Sequence, residues 1–156
     1  MIGVEPDILD MPARYAVVSA RDYNMDTRNE IPALFQAFFS ENAEIPKAET
    51  DALLGVSYNM DGKGAFRYGV GRVVDGSTDL IPDGMEAVEL VEGTYAVFRK
   101  FGPVSDIPEL FDWVFNSWFR ESGFDITGNP VFERYPNDPR NGDNGMVFEI
   151  WSPVRR

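Results

Sequence analysis

The sequence predicts an α+β fold of two β-α-β-β modules related by pseudo-two-fold symmetry, each an antiparallel sheet carrying one long helix, with a ligand cleft between them. Three observations lead there. Two local signatures recur: RYAVV around Tyr15 is answered by TYAVF around Tyr95, and IPALFQAFF from Ile31 by IPELFDWVF from Ile107, with a proline at the same place in each helix. The order strand, helix, strand, strand is legible twice, in half-modules of about 11–75 and 93–154. Finally, 156 residues make one domain of ordinary size, in which a helix over one sheet face cannot bury its apolar side alone and must pack with its twin.

The elements follow in order. After a loose N-terminal lead, 14–21 is rich in β-branched and aromatic residues and reads as a strand. Ile31, Leu34, Phe35 and Phe38 fall at helical spacing over about Ile31–Glu41, and Pro32 is tolerated in the first turn. Strands over 53–60 and 66–74 flank Asp61, Gly62, Lys63 and Gly64, a hairpin turn signal. The Gly- and acid-rich stretch 75–92 connects the halves, with 85–90 as an optional short strand. A strand over 94–101 ends at Gly102 and Pro103. Ser105 then caps a helix over about 106–122, whose apolar stripe runs from Ile107 to Trp118 and which Gly123 terminates. Two last strands, 130–136 and 146–153, enclose the loop NDPRNGDNG, whose length points to disorder or function.

Composition excludes several function classes. Fourteen Lys plus Arg stand against 26 Asp plus Glu, a net charge of −12, so a nucleic-acid surface is not expected. The absence of Cys and His removes disulfides, zinc-thiolate sites, Cys nucleophiles, Ser-His triads and His-ligated haem, and no cofactor is implied. No basic leader precedes an apolar run, and nowhere do about 18 apolar residues occur together. The expectation is a soluble, cytoplasmic protein without a membrane partner.

Chemistry is therefore left to carboxylates, hydroxyls, rings, Lys and Arg. Glu133 stands out as an acid inside an apolar strand, flanked by Val131, Phe132 and Tyr135. It must lie at a solvated edge, pair with Arg134 or another base, or wait in a pocket for a cation, because unpaired burial is expensive. Alternation sends Arg134 to the other face. In the last strand Val147, Glu149 and Trp151 share a face, either solvated or turned to the cleft according to register. Trp113 lies on the flank of the second helix's stripe, where a ring either lines a cleft or covers neighbouring helix, and Trp118 lies within the stripe. Tyr58 and Tyr68, on the strands of the first hairpin, complete the candidate ligand-binding rings.

These residues resemble the GyrI-like effector-binding domains, found alone or at the C-terminus of AraC- and MerR-type multidrug-responsive regulators. The matching motifs are Phe101, Gly102 and Pro103; Trp118 and Gly123; Pro130, Phe132, Glu133 and Tyr135; and Pro153 with Val154. The resemblance spans about 11–154, and freestanding integron-cassette drug-binding members are the nearest analogue. It implies a cleft in which an acid, here Glu133, and aromatic rings receive lipophilic organic cations, for sensing or sequestration. It implies for Trp118 a role in core packing, in the cleft wall or, as in some relatives, in hydrolysis. No helix-turn-helix segment is present, so no direct DNA contact is expected, and a separate regulatory protein is the macromolecular partner left to a sensor. The alternatives are a GyrI-like small-molecule hydrolase, with Glu133 and a nearby Tyr or Trp activating water, and an acidic protein inhibitor of a DNA-handling enzyme.

Overall fold

The computed structural model describes residues 4–41, 44–76 and 80–156. The first half runs β1 (Asp7–Met11), β2 (Arg14–Tyr23), a 3-10 turn (Arg28–Glu30), α1 (Ile31–Glu41), β3 (Ala52–Tyr58), β4 (Phe66–Val74) and β5 (Glu86–Leu90). The second runs β6 (Gly93–Gly102), α2 (Asp106–Trp113), a π-helical turn (Val114–Trp118), α3 (Phe119–Ser122), β7 (Asp125–Ile126), β8 (Val131–Pro136) and β9 (Met146–Arg155). The strands form one antiparallel sheet in the order β1-β6-β9-β8-β3-β4-β2-β5, and β7 is a short ladder on the end of β9. The order is mirrored about the β8–β3 ladder: β6, β9 and β8 on one side stand where β2, β4 and β3 stand on the other.

The sheet curls strongly. β5 is an edge strand and β6 lies next to the opposite edge, yet only Val91 and Glu92 connect them, so the two ends are drawn together. The Tyr95 hydroxyl donates to the Val91 carbonyl at 2.6 Å across this corner. The inner face is lined by Ala16, Val18, Leu54, Val56, Tyr95 and Phe132, all at most 2 % exposed. Burying a ring or branched side chain there contributes about 1.5–3 kcal/mol each.

The outer face carries the helices. Leu34 and Phe38 of α1 pack on Tyr23, Tyr68 and Val70, whereas Leu110, Val114 and Phe119 pack on Ala96, Phe98, Phe148 and Ile150. These are separate clusters, and the strip of sheet between them is the β3–β8 ladder.

Several expectations change in detail. The N-terminal lead forms an edge strand, β1, whose exposed Ile8 and Leu9 blur the alternation that marks a strand. Ser105 makes no side-chain cap; the Asp106 and Ile107 amides instead donate to the Pro103 and Val104 carbonyls at 2.9 and 3.1 Å. The helix expected over 106–122 contains a π turn, in which the Phe119 amide bonds the Val114 carbonyl. Gly123 ends it with φ of 80°, the left-handed conformation a side chain resists. The optional strand forms as β5, while residues 77–79 of the connecting stretch lie outside the described residues. The long β8–β9 loop is bonded to itself: Asn141 donates to the Pro136 carbonyl at 3.0 Å and accepts from the Val147 amide at 2.8 Å. Among the described residues no helix is long and apolar enough to cross a membrane.

Candidate ligand-binding site

Glu133 sits in the middle of the outer face, on the strip that neither helix covers fully. Its ladder partners are Gly55 of β3 and Ile150 of β9. It is 6 % exposed, and among the described residues no Lys or Arg forms an ion pair with it. Two phenols converge on one oxygen: the Tyr68 hydroxyl donates to Oε1 at 2.8 Å and the Tyr135 hydroxyl at 3.1 Å. Oε2 has no side-chain partner among the described residues. Removal from water pushes the Glu133 carboxyl up to about 7, against the opposing pull of the two phenol bonds. The same burial, next to a carboxylate, raises Tyr68 and Tyr135 well above the ordinary phenol range, so both remain donors.

Gly55 makes this arrangement possible. A Cβ there would lie 1.9 Å from the Tyr68 hydroxyl oxygen and 3.3 Å from Glu133 Oε1, so the phenol and the carboxyl meet in the space a side chain would occupy. Phe35 of α1 closes the site from above, its ring 6.1 Å from that of Tyr68 and 5.9 Å, edge-on, from that of Tyr135. The result is one carboxyl inside three rings, joined from β8, β4 and α1.

Arg134 turns to the inner face, where it reaches Glu149 at 3.3 Å and Asp51 at 3.4 Å. Glu149 is there too. It is 1 % exposed rather than solvated, and it accepts from Arg99 at 2.6 Å and from the Trp151 indole at 2.9 Å. Phe132 and Trp151 are stacked at 5.3 Å, and the Arg14 guanidinium lies 5.7 and 5.4 Å from their ring centres, so the cation over these rings is the chain's own. Tyr58 donates to Glu86, which Arg67 grips at 2.6 Å. Trp113 and Trp118 pack edge-on against Phe98 at 6.1 and 4.9 Å, inside the α2 cluster.

The fold thus brings Glu133, Tyr68 and Tyr135 together. It separates them from Phe132, Glu149, Trp151 and Tyr58 by the thickness of the sheet. Sequence reasoning missed Phe35 and Gly55. Phe35 was legible only as one more residue of a core stripe, while a glycine inside an apolar strand signals a close approach without naming what approaches.

The sequence pattern of the GyrI-like small-molecule-binding domain matches residues 4–155. The chain belongs to the GyrI-like family. Solved structures agree on the fold of this GyrI-like domain. SAV2435 bound to tetraphenylphosphonium aligns with a TM-score of 0.79 at 19 % identity, over 97 % of this chain and 94 % of that one. The integron cassette protein VCH_CASS2 from the mobile metagenome of Vibrio cholerae gives 0.71 at 18 %, over 97 % and 96 %. A hydrolase encoded by lin2189 from Listeria innocua gives 0.54 at 14 %, over 96 % and 91 %. No curated protein matches the GyrI-like chain in sequence.

Proposed function

We propose that this GyrI-like domain binds lipophilic organic cations at Glu133 in the cytoplasm, either to sequester them or to report them to a separate regulatory protein. The observation that carries the reading is a buried carboxyl held by two phenols and by no basic side chain among the described residues. A carboxyl kept out of water without a counter-charge is costly, and a cation entering beside it removes that cost. The complex of SAV2435 with tetraphenylphosphonium supports the choice of ligand. Two half-modules, about 11–75 and 93–154, would set the site at their junction, the β3–β8 ladder.

Phe35 must swing aside for a ligand to reach the carboxyl, and its ring, with those of Tyr68 and Tyr135, then flanks the bound cation. Each well-placed ring adds about 0.5–2 kcal/mol of cation-π attraction. With apolar burial at about 25 cal/mol per Å², less the cost of immobilisation, the sum is close to micromolar affinity, about −8 kcal/mol. Rings around one fixed charge accept many shapes, so the specificity is broad.

The test is calorimetric titration with a matched pair, a benzyltrimethylammonium-type cation and its tert-butyl carbon isostere, on wild type and Glu133→Gln. The cation should lose about ten-fold or more, about 1.4 kcal/mol, and the neutral ligand should be nearly unaffected. Equal losses for both would mean that Glu133 shapes the pocket without reading charge.

A second reading is hydrolysis. A carboxyl near 7 beside two phenols is poised to take a proton from water attacking a strained electrophile. The hydrolase from Listeria innocua supports it as a fold-level analogy. Consumption of an electrophilic ligand during the titration, abolished in Glu133→Gln, would place this reading first.

A further inference from the structure

An aromatic groove lies away from Glu133, beside the π turn. It is an open depression of about 560 Å³, and its lining includes Phe115, Phe119 and Phe124 and the half-exposed Ile126. Phe111, Phe115 and Phe119 form a ladder along the helix, with successive ring centres 4.7 and 5.5 Å apart, and Trp118 stacks on Phe124 at 5.9 Å. The π turn, from Val114 to Trp118, contributes Phe115 and Asn116 to the wall, and such turns are enriched at functional sites.

The charge on this groove runs against that of the chain. Exposed Arg120 and Arg155 line it, and the Arg156 guanidinium lies 5.5 Å from the centre of Phe124. None of these three arginines forms an ion pair among the described residues, although the chain carries 26 acidic residues against 14 basic ones. Asp125 is the acid that shares the lining. Guanidinium groups match carboxylates and sulfonates, and an aromatic wall matches a flat apolar body.

From this juxtaposition we infer that the groove is a second ligand site, selective for small aromatic monoanions such as aryl carboxylates and aryl sulfonates. Its ligands are opposite in charge to those proposed for Glu133, so the two sites serve different molecules. The aryl group lies against half-exposed Ile126 and the accessible edges of Phe115 and Phe124, and the anionic group is held between Arg120 and Arg155. The overall charge of −12 repels anions at long range, so binding is slower than for a cation of equal size, and salt, which screens the exposed arginines, weakens the bound pair.

The test uses the full chain, with 1-anilinonaphthalene-8-sulfonate as the fluorescent anion and N-phenyl-1-naphthylamine as its uncharged counterpart. The sulfonate should bind saturably at one site, at least ten-fold tighter than the amine. The double variant Arg120→Gln with Arg155→Gln should lose that advantage while its melting temperature stays unchanged, since both side chains are exposed. Ile126→Glu, which puts a like charge into the lining, should abolish sulfonate binding by a second route. Tetraphenylphosphonium should not displace the sulfonate, and Glu133→Gln should leave it bound. Equal affinity for the two probes, unchanged binding in the double variant, or displacement by tetraphenylphosphonium would each overturn the inference without touching the cation reading.

Discussion

Cation binding should depend on pH with a sign that the position of Glu133 dictates. Burial pushes this carboxyl up to about 7 in the free domain, and a cation needs it ionised. Above about pH 7 the carboxylate is already present and affinity is flat; below it affinity falls with each step of protonation. Acidification to about pH 5 therefore weakens the cation until it binds about as weakly as to Glu133→Gln, a loss of about ten-fold or more. The groups facing Glu133 do not titrate in this range. Tyr68 and Tyr135 are raised far above it, Gly55, Ile150 and Phe35 carry no charge, and Arg134 faces away. Free-domain stability runs the opposite way. A folded value raised above the ordinary 4.5 favours the protonated fold, so stability is highest near that lower value and falls by roughly 3 kcal/mol as pH rises to about 7. The assay is calorimetry of a quaternary ammonium ligand in buffers of differing ionisation enthalpy. Binding should release a fraction of a proton at pH 6 and almost none at pH 8. The uncharged isostere should show no such release. Glu133→Gln should bind the cation weakly and at all pH values alike. Cation affinity that stays level from pH 8 to pH 5, or an equal slope for the neutral ligand, would refute the assignment of Glu133 as the charge reader.

Two further substitutions separate the site from the framework. Gly55→Ala places a methyl 1.9 Å from the Tyr68 oxygen, so it should destabilise the fold by about 1–3 kcal/mol in urea denaturation and weaken cations as the phenol is displaced. Glu149→Gln removes a buried charge shared by Arg99 and Arg134, whose guanidinium groups stay partly in water, so it should cost about 1–3 kcal/mol of stability yet leave cation affinity within about two-fold, measured by the same denaturation and titration.

The architecture was legible because its periodicities are strong. The helix Ile31–Glu41 and the β8–β9 pair needed only apolar spacing and turn residues, and Glu133 announced itself as an acid where an apolar residue was due. What alternation could not show was the partner strand. Tyr68 lies two strands away from Glu133 across β3, and it reaches the carboxyl only because Gly55 intervenes with no side chain. The curl hid the rest. A flat sheet would have left Phe132 and Trp151 open as ligand rings, but curvature brings Arg14 of β2 across the inner face to cover both. Curvature is a sum over nine strands, and no local spacing records it.

The same geometry puts an acid without a counter-charge and the structural ion pairs on opposite faces of one strand. Glu133 and Arg134 are neighbours in the chain, and alternation alone keeps them apart. On the inner face Arg134 meets Glu149, whose carboxyl is also gripped by Arg99, so that acid is fully compensated by the protein. On the outer face Glu133 meets only phenols, which satisfy its hydrogen bonds without cancelling its charge. A one-residue slip of β8 would turn Glu133 to the inner face, opposite Glu149, and put Arg134 among the phenols. The register that pairs Gly55 with Glu133 is therefore what separates an acid without a counter-charge from a compensated one.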